Sequence, residues 1–244
     1  MKRSLFFAFT TLLFMISPCQ AGFFDDFSRD VLPFFQQQSS LDNSTIIKGL
    51  KEALAIGTER AVTEVAKPDG YFGNQLIKIL LPNKIQQAAD ILGNIGYQKQ
   101  VDEFVLSMNR AAEKAAPRAA SLFGDAIRQM TVEDAKGILS GGDTAATRFF
   151  ERKTRSKLFE VFKPTVAKSM DQVGTARAYK EVIGKYETIP FASLIGTPSL
   201  DLDTYVTNKA LDGLFIMVGE EEKKIRTNPA AQTTDLLRKV FGRK

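Results

Sequence analysis

The chain has 244 residues, with 33 lysines and arginines against 28 aspartates and glutamates, a formal net charge of +5, no histidine and one cysteine, Cys19. Without histidine, Ser-His-Asp and Cys-His catalysis and histidine-bound zinc are excluded, and one cysteine excludes a disulfide framework or a cysteine-rich metal site. A hydrophobic content of 44% with 25% charged residues is typical of a globular protein. We expect no cofactor and no metal ion.

The first 21 residues have the pattern of a secretory signal peptide. Lys2 and Arg3 precede an apolar run over residues 4–16, and a short segment ending at Ala21 comes before Gly22. This order of a basic, an apolar and a small-residue region is typical of signal peptides. The apolar run is too short for a permanent spanning helix, which needs about 20 residues. The sequence therefore predicts cleavage between Ala21 and Gly22 and a periplasmic protein.

An alternative is a lipoprotein whose mature chain begins at a lipidated Cys19, although Pro18 is unfavourable before such a cysteine. Cleavage after Ala21 would instead remove two basic residues and Cys19, which leaves a net charge of +3 and no cysteine. A charge of this size does not indicate nucleic-acid binding. No later segment has the length and apolar character of a membrane span.

Residues 22–41 form a segment rich in phenylalanine and glutamine, with Pro33 in its middle. We interpret it as an N-terminal arm whose aromatic side chains dock on the main domain. A mobile tail that contacts a membrane or a partner is the alternative.

From residue 42 to residue 244 the apolar residues recur with a helical period. The first helix begins at Asn43 or Ser44 and ends before the turn Lys67–Gly70. Residues 76–82 are apolar and β-branched, and form either a strand-like connector or one helical turn. Four helices follow, over residues 83–94, 98–115, 117–129 and 131–139.

After a break at residues 140–143, a helix begins at Asp143 or Thr144 and continues to Val173, with Pro164 as a kink or a fresh start. The next helix covers residues 175–187, and residues 188–202 form the longest loop. A long helix begins at Asp203 or Thr204, and a final helix follows Pro229. The pattern predicts an all-α fold, a single compact domain of about nine helices over residues 42–244.

Two glycines, Gly141 and Gly142, stand just before a helix start, where backbone N–H groups can bind an anion. The alternative is a helix C-cap followed by an N-cap, with Asp143 at the helix N-terminus.

Three arginines, Arg148, Arg152 and Arg155, fall at i, i+4 and i+7, which places them on one face of a helix. In an exported protein such a face could bind anionic lipid head groups or an acidic partner. A solvated face is the alternative.

Within an alanine-rich helix, Arg110 and Glu113 have the spacing of an ion pair, either as a packing element or as the floor of a pocket. The adjacent acids Glu133 and Asp134 fit helix caps better than a pair of catalytic carboxylates, as do Asp201 and Asp203. The run from Glu220 to Lys224 is expected to be a solvated, self-paired face.

Seven stretches together carry a resemblance to a known family: Gly49–Leu54, Lys67–Tyr71, Ser107–Ala115, Met130–Leu139, Ala145–Phe150, Tyr205–Phe215 and Ile225–Pro229. In these stretches the chain resembles a bacterial exported family known as domain of unknown function 4197. This resemblance implies an exported helical domain and carries no site residues with it.

We therefore expect a non-enzymatic binding protein of the cell envelope whose partner is a protein or an anionic or lipidic ligand. The candidate binding residues are Arg110, Glu113, Gly141, Gly142, Arg148, Arg152 and Arg155. A carboxylate-dependent hydrolase of envelope polymers and a structural component of an envelope assembly are the alternatives. The oligomeric state stays open.

Overall fold

The computed structural model describes residues 43–188 and 201–228, together with the single positions 232, 234, 235, 238 and 240. The predicted signal peptide, the alternative at Cys19 and the arm over residues 22–41 lie outside the described residues. Most of the predicted loop over residues 188–202 and most of the final helix do so as well.

The described chain is helical, and none of its residues belongs to a β-strand, which confirms the predicted all-α class. The boundaries of its helices lie within a few residues of those that the apolar period predicts. The α-helices are α1 (Asn43–Ala66), α2 (Asn83–Leu92), α3 (Gln98–Ala115), α4 (Ala119–Arg128), α5 (Val132–Ser140), α6 (Ala145–Val173), α7 (Thr175–Glu187) and α8 (Leu202–Thr227).

In the described residues these helices form six helical segments, one of which, over residues 83–128, contains a kink where Ile95 and Gly96 have non-helical backbone angles. The prediction of about nine separate helices is wrong. A kinked turn over Gly93–Tyr97 joins α2 to α3, and a 3-10 turn over Ala116–Arg118 joins α3 to α4. Gly96 supplies the positive φ of 96° that the first turn requires, at little steric cost. Pro117 lacks the N–H that would continue the α-helical pattern, so the chain tightens there without leaving the helix.

The predicted kink or fresh start at Pro164 does not divide α6, which runs for 29 residues through this proline. Pro164 removes one backbone hydrogen bond, the one to the C=O of Glu160. Both residues are exposed, so water can satisfy that carbonyl. The helix ends at Gly174, whose left-handed φ of 80° is typical of a helix C-terminus.

The core lies where α6 packs against α3 and α8, while α1 covers α8 and α4. Phenylalanines fill its centre, and the rings of Phe123 and Phe150 lie 5.2 Å apart in a tilted arrangement that aromatic pairs favour. Burying one such side chain contributes about 1.5–3 kcal/mol. The helices are therefore held mainly by packing of their apolar faces.

The segment between α1 and α2, residues 67–82, is the connector. Its last part is non-helical, with Ile77, Ile79 and Leu81 buried and Leu76 and Leu80 exposed. Residues 75–77 form a turn, in which the N–H groups of Ile77 and Lys78 donate to the C=O of Asn74, and residues 78–82 are non-helical. Of the two alternatives for residues 76–82, the turn is thus present at the start of the segment and the strand-like connector in the rest of it. Within the described residues, no helix has the length and hydropathy needed to cross a membrane.

Candidate functional site

The clearest grouping of predicted binding residues is a groove between α5 and α6, called the α5–α6 groove below. Its volume is about 330 Å³. Gly141, Arg148 and Arg152 line it together, whereas Gly142 is exposed beside it. The lining residues are Glu133, Asp134, Gly137, Ile138, Gly141, Ala145, Arg148, Phe149 and Arg152.

The two arginines of the groove are exposed, and neither forms an ion pair with a carboxylate of the described residues. Because they stand one turn apart on the rigid helix α6, both guanidinium groups border the same groove. Pairs of guanidinium groups suit phosphate and carboxylate oxygens, to which arginine donates two parallel hydrogen bonds. The groove therefore presents two cations that are available to a ligand.

The acids on the α5 side differ in their engagement. Asp134 completes a capping box, in which it accepts from Thr131 N at 3.2 Å while its own N–H donates to Thr131 Oγ1 at 3.1 Å. Lys153 Nζ lies 3.9 Å from the same carboxylate. Glu133 is exposed at the rim. The carboxylate of Asp134 is thus held as a helix cap, as the sequence predicts.

The glycines shape the groove without forming an anion cradle. A Cβ at Gly141 would lie 2.5 Å from the Cβ of Ala145, so only glycine permits this close approach at the end of α5. The N–H of Ala145 donates to the C=O of Gly142, and the N–H of Arg148 donates to the C=O of Thr144.

The other first-turn N–H groups of α6, at Ala146 and Thr147, both donate to the carboxylate of Glu222 at 2.9 Å. The backbone anion site predicted at Gly141 and Gly142 is therefore already filled from within the protein. Asp143 was expected at this helix N-terminus, but Glu222 provides the cap in its place.

Glu222 is the residue that the sequence analysis missed. It is 7% exposed, accepts also from Thr147 Oγ1 at 2.8 Å, and pairs with Arg226, which donates to the C=O of Ile138 at 2.9 Å. Val218, Glu222 and Ile225 face the same side of α8, a spacing that could have indicated its burial.

The predicted solvated face from Glu220 to Lys224 is therefore wrong. Glu221 is 8% exposed, and Lys224 pairs with it at 2.7 Å and not with Glu220. The buried apolar residues before and after Glu221 and Glu222 fix the orientation of α8. In this orientation the two acids face α1 and α6 and not the solvent.

The third arginine of the predicted stripe does not reach the α5–α6 groove. Arg155 pairs with Glu151 at 2.8 Å and with Asp212 of α8. Its guanidinium carbon lies 5.8 Å from the ring centre of Phe215. The prediction of one continuous basic face is thus wrong at Arg155, because α8 offers it an acidic partner.

Arg110 and Glu113 form the predicted ion pair, at 2.7 Å. Glu113 is 4% exposed and accepts from the backbone N–H groups of Tyr71 and Phe72 at 3.1 and 3.3 Å. The hydrogen bond from Arg110 to Glu113 raises the pKa of the guanidinium. Arg110 also pairs with Asp69 at 2.8 Å.

The pair therefore fastens the connector to α3, which is the packing alternative of the prediction. Tyr71 is fully buried next to it and donates from its hydroxyl to the C=O of Ala210 at 2.6 Å. Burial raises the pKa of the Tyr71 hydroxyl well above its usual value.

The second pair of acids caps α8. Asp201 accepts from Thr204 N at 3.0 Å, and this backbone hydrogen bond lowers the pKa of Asp201. Burial raises the pKa of Asp203. Among the described residues there is no cluster of three or more acidic or cysteine side chains that could hold a metal ion.

Comparison with known proteins gives one family. The family model described as "Protein of unknown function (DUF4197)" matches residues 40–242, which is most of the chain, so the protein belongs to this family. No curated protein and no solved structure matches the chain.

Proposed function

We propose that this member of the DUF4197 family is a non-enzymatic binding protein of the cell envelope that holds a phosphate-bearing anionic ligand in the α5–α6 groove. The observation that carries the proposal is the presence of Arg148 and Arg152 on the same groove without a carboxylate partner among the described residues. The predicted signal peptide supports the cell-envelope location.

The chemistry of guanidinium favours phosphate. Arg148 and Arg152 can each donate two parallel hydrogen bonds to phosphate oxygens, and their planar groups are less strongly hydrated than lysine. The exposed Glu133 at the rim disfavours anions that would approach from its side. Exposed arginines of this kind bind a single phosphate group with modest affinity. Simultaneous contacts with several head groups of one membrane can increase the overall affinity.

The buried carboxylates support binding over hydrolysis. Glu113 and Glu222 each accept two backbone N–H groups and an arginine, so both perform structural tasks. Hydrolysis by two carboxylates needs both of them to face a substrate in a cleft.

The test is cosedimentation with vesicles of phosphatidylcholine containing phosphatidylglycerol, using the full chain and the double variant Arg148→Ala, Arg152→Ala. A matched control is Arg60→Ala, Arg118→Ala, which removes two exposed arginines from other helices and changes the net charge equally. We expect the groove variant to bind about tenfold more weakly and the control to bind like the unmodified protein.

Three results contradict the proposal. Equal weakening in both double variants would mean general charge attraction, and unchanged binding in the groove variant would exclude the groove. Absence of binding to both these vesicles and inorganic phosphate would exclude a phosphate ligand. Titration with inorganic phosphate separates recognition of the free anion from recognition of a lipid head group.

A further inference from the structure

A second groove runs between the connector, α2 and α3, and we call it the connector groove. It has a volume of about 730 Å³ and shares no residue with the α5–α6 groove. Its lining consists of Phe72, Lys78, Leu80, Leu81, Gln86, Gln98, Val101, Asp102 and Val105. Ligand sites in proteins have this size and this mostly apolar character with a few polar groups.

The connector side of the groove is held rigidly by side chains from the helices. Asn109 of α3 accepts from Ile79 N and donates to Ile79 O, both at 2.8 Å, as a neighbouring strand would. Tyr205 of α8 donates from its hydroxyl to the C=O of Leu80 at 2.9 Å. Because side chains of α3 and α8 hold the connector in place, this wall of the groove is preorganised. Preorganisation lowers the entropy cost of binding a ligand.

Leu80 is the most exposed apolar residue of this groove, whereas Leu81 and Val101 are buried. Leu80 is 60% exposed and lines the groove opposite Val101 and Val105 of α3. An exposed leucine on a fixed wall keeps apolar area in water that a ligand can cover. The same alternation that buries Ile79 and Leu81 obliges Leu80 to point outward.

The polar groups of the groove leave one cation available. Gln98 donates to Asp102 at 2.8 Å, and Gln86 donates to Asp90 at 2.8 Å, so these side chains are hydrogen-bonded along their own helices, while the Asp102 carboxylate keeps its negative charge on the α3 side of the groove. Lys78 Nζ lies 4.0 Å from the ring centre of Phe72 and forms no ion pair with the described carboxylates. The groove therefore combines an apolar channel with an ammonium group beside it.

We propose that the connector groove binds a single-chain fatty acid, with the acyl chain along Leu80, Val101 and Val105 and the carboxylate beside Lys78. The apolar walls match the chain, and the charge of Lys78 complements the head group. This site goes beyond the proposed function, because it needs neither Arg148 nor Arg152.

The test is displacement of a dansyl-labelled fatty acid from the purified full chain by palmitate, below the concentration at which palmitate forms micelles. Leu80→Glu places a charge in the groove, and Leu76→Glu is the matched control, because Leu76 is 67% exposed on the same connector and does not line the groove. We expect at least about tenfold weaker binding for Leu80→Glu and at most about twofold change for Leu76→Glu.

The head group is tested at Lys78. Lys78→Met should weaken palmitate binding about fivefold, the upper range for an exposed ion pair, but leave the alcohol of the same chain length unchanged. Lys78→Arg should restore palmitate binding. Each methylene added to a shorter chain should strengthen binding up to about fourfold until the groove is filled.

Several results would overturn the inference. The first is an absence of saturable binding, and the second is equal loss in Leu80→Glu and Leu76→Glu, which would mean adsorption to the surface. The third is a Lys78→Met effect that is the same for acid and alcohol. Circular dichroism confirms that each variant is folded, and retention of palmitate binding by the Arg148→Ala, Arg152→Ala variant separates this site from the α5–α6 groove.

Discussion

Replacement of Glu222 by alanine should destabilise the protein more than any other single change of an acidic residue on α8. Its carboxylate accepts from the N–H groups of Ala146 and Thr147 at 2.9 Å, from the Thr147 hydroxyl at 2.8 Å, and from Arg226 at 2.8 Å. The change removes the carboxylate that accepts all of these hydrogen bonds. It also leaves the guanidinium of Arg226, whose side chain is 13% exposed, without its carboxylate partner.

The magnitude follows from the burial of the pair. Hydrogen bonds to charged groups contribute about 1.5–3 kcal/mol each, but those that share one carboxylate are not additive. Removing one partner of a buried ion pair costs about 3–5 kcal/mol, and we take this as the expected loss for Glu222→Ala. A loss of this size is a large part of the roughly 5–15 kcal/mol that stabilises a typical domain.

The assay is urea unfolding followed by circular dichroism, with Glu220→Ala as the matched control. Glu220 is the same residue type two positions away and makes no ion pair in the described part of the chain, so its replacement should change the free energy of unfolding by at most about 0.5 kcal/mol. Glu222→Gln, which keeps one carbonyl acceptor, should lie between the two. Equal free energies of unfolding for Glu222→Ala and Glu220→Ala would refute the reasoning.

Three further predictions concern stability. Gly213→Ala should destabilise the fold by about 1–3 kcal/mol, because its Cβ would lie 2.7 Å from the Tyr71 ring. Gly137→Ala should instead stabilise its helix by up to about 1 kcal/mol, because no atom of the described residues would lie within 4 Å of its Cβ, and thermal unfolding of both variants checks this. Asn109→Ala should cost about 2–4 kcal/mol by leaving two buried backbone groups of the connector unpaired, and faster hydrogen exchange of connector amides would be the second sign, so unchanged exchange would contradict it. The pKa of Asp201 is lower in the folded protein than in the unfolded chain. Ionised Asp201 therefore stabilises the fold at pH values above its unfolded pKa, and this stabilisation is lost as the pH falls through its folded pKa. Asp201→Ala should flatten this part of the curve of unfolding free energy against pH, measured by urea unfolding at several acidic pH values.

Local patterns in the sequence were sufficient for the helices and their caps. The apolar period predicted the bounds of α3 and α7 that the structure shows, 98–115 and 175–187. Thr131 and Asp134 form the predicted capping box. The Arg110–Glu113 pair was also predictable, because residues three apart on a helix are neighbours. These features depend on residues close together in the chain.

Contacts between distant segments could not be predicted in this way. Asn109 lies on the buried face of α3, where an unpaired amide would be costly, so a partner was implied but its identity as Ile79 was not. Glu222 and Ala146 are 76 positions apart, and only the packing of α8 on α6 brings them together. The arginines of α6 likewise differ in their surroundings because different helices pack beside them. Arg155 pairs with an acid of α8, whereas Arg148 and Arg152 line the groove beside α5.

The sequence by itself determined that this protein is helical, has no histidine and only one cysteine, and carries arginines at helical spacing on α6. The tertiary structure decided which of those arginines remain available, since Arg148 and Arg152 border α5 while Arg155 is neutralised by Asp212. The physical reason is that the helical period fixes only the direction of a side chain relative to its own helix. Its charge partner depends on the neighbouring helix, which the packing of the core selects.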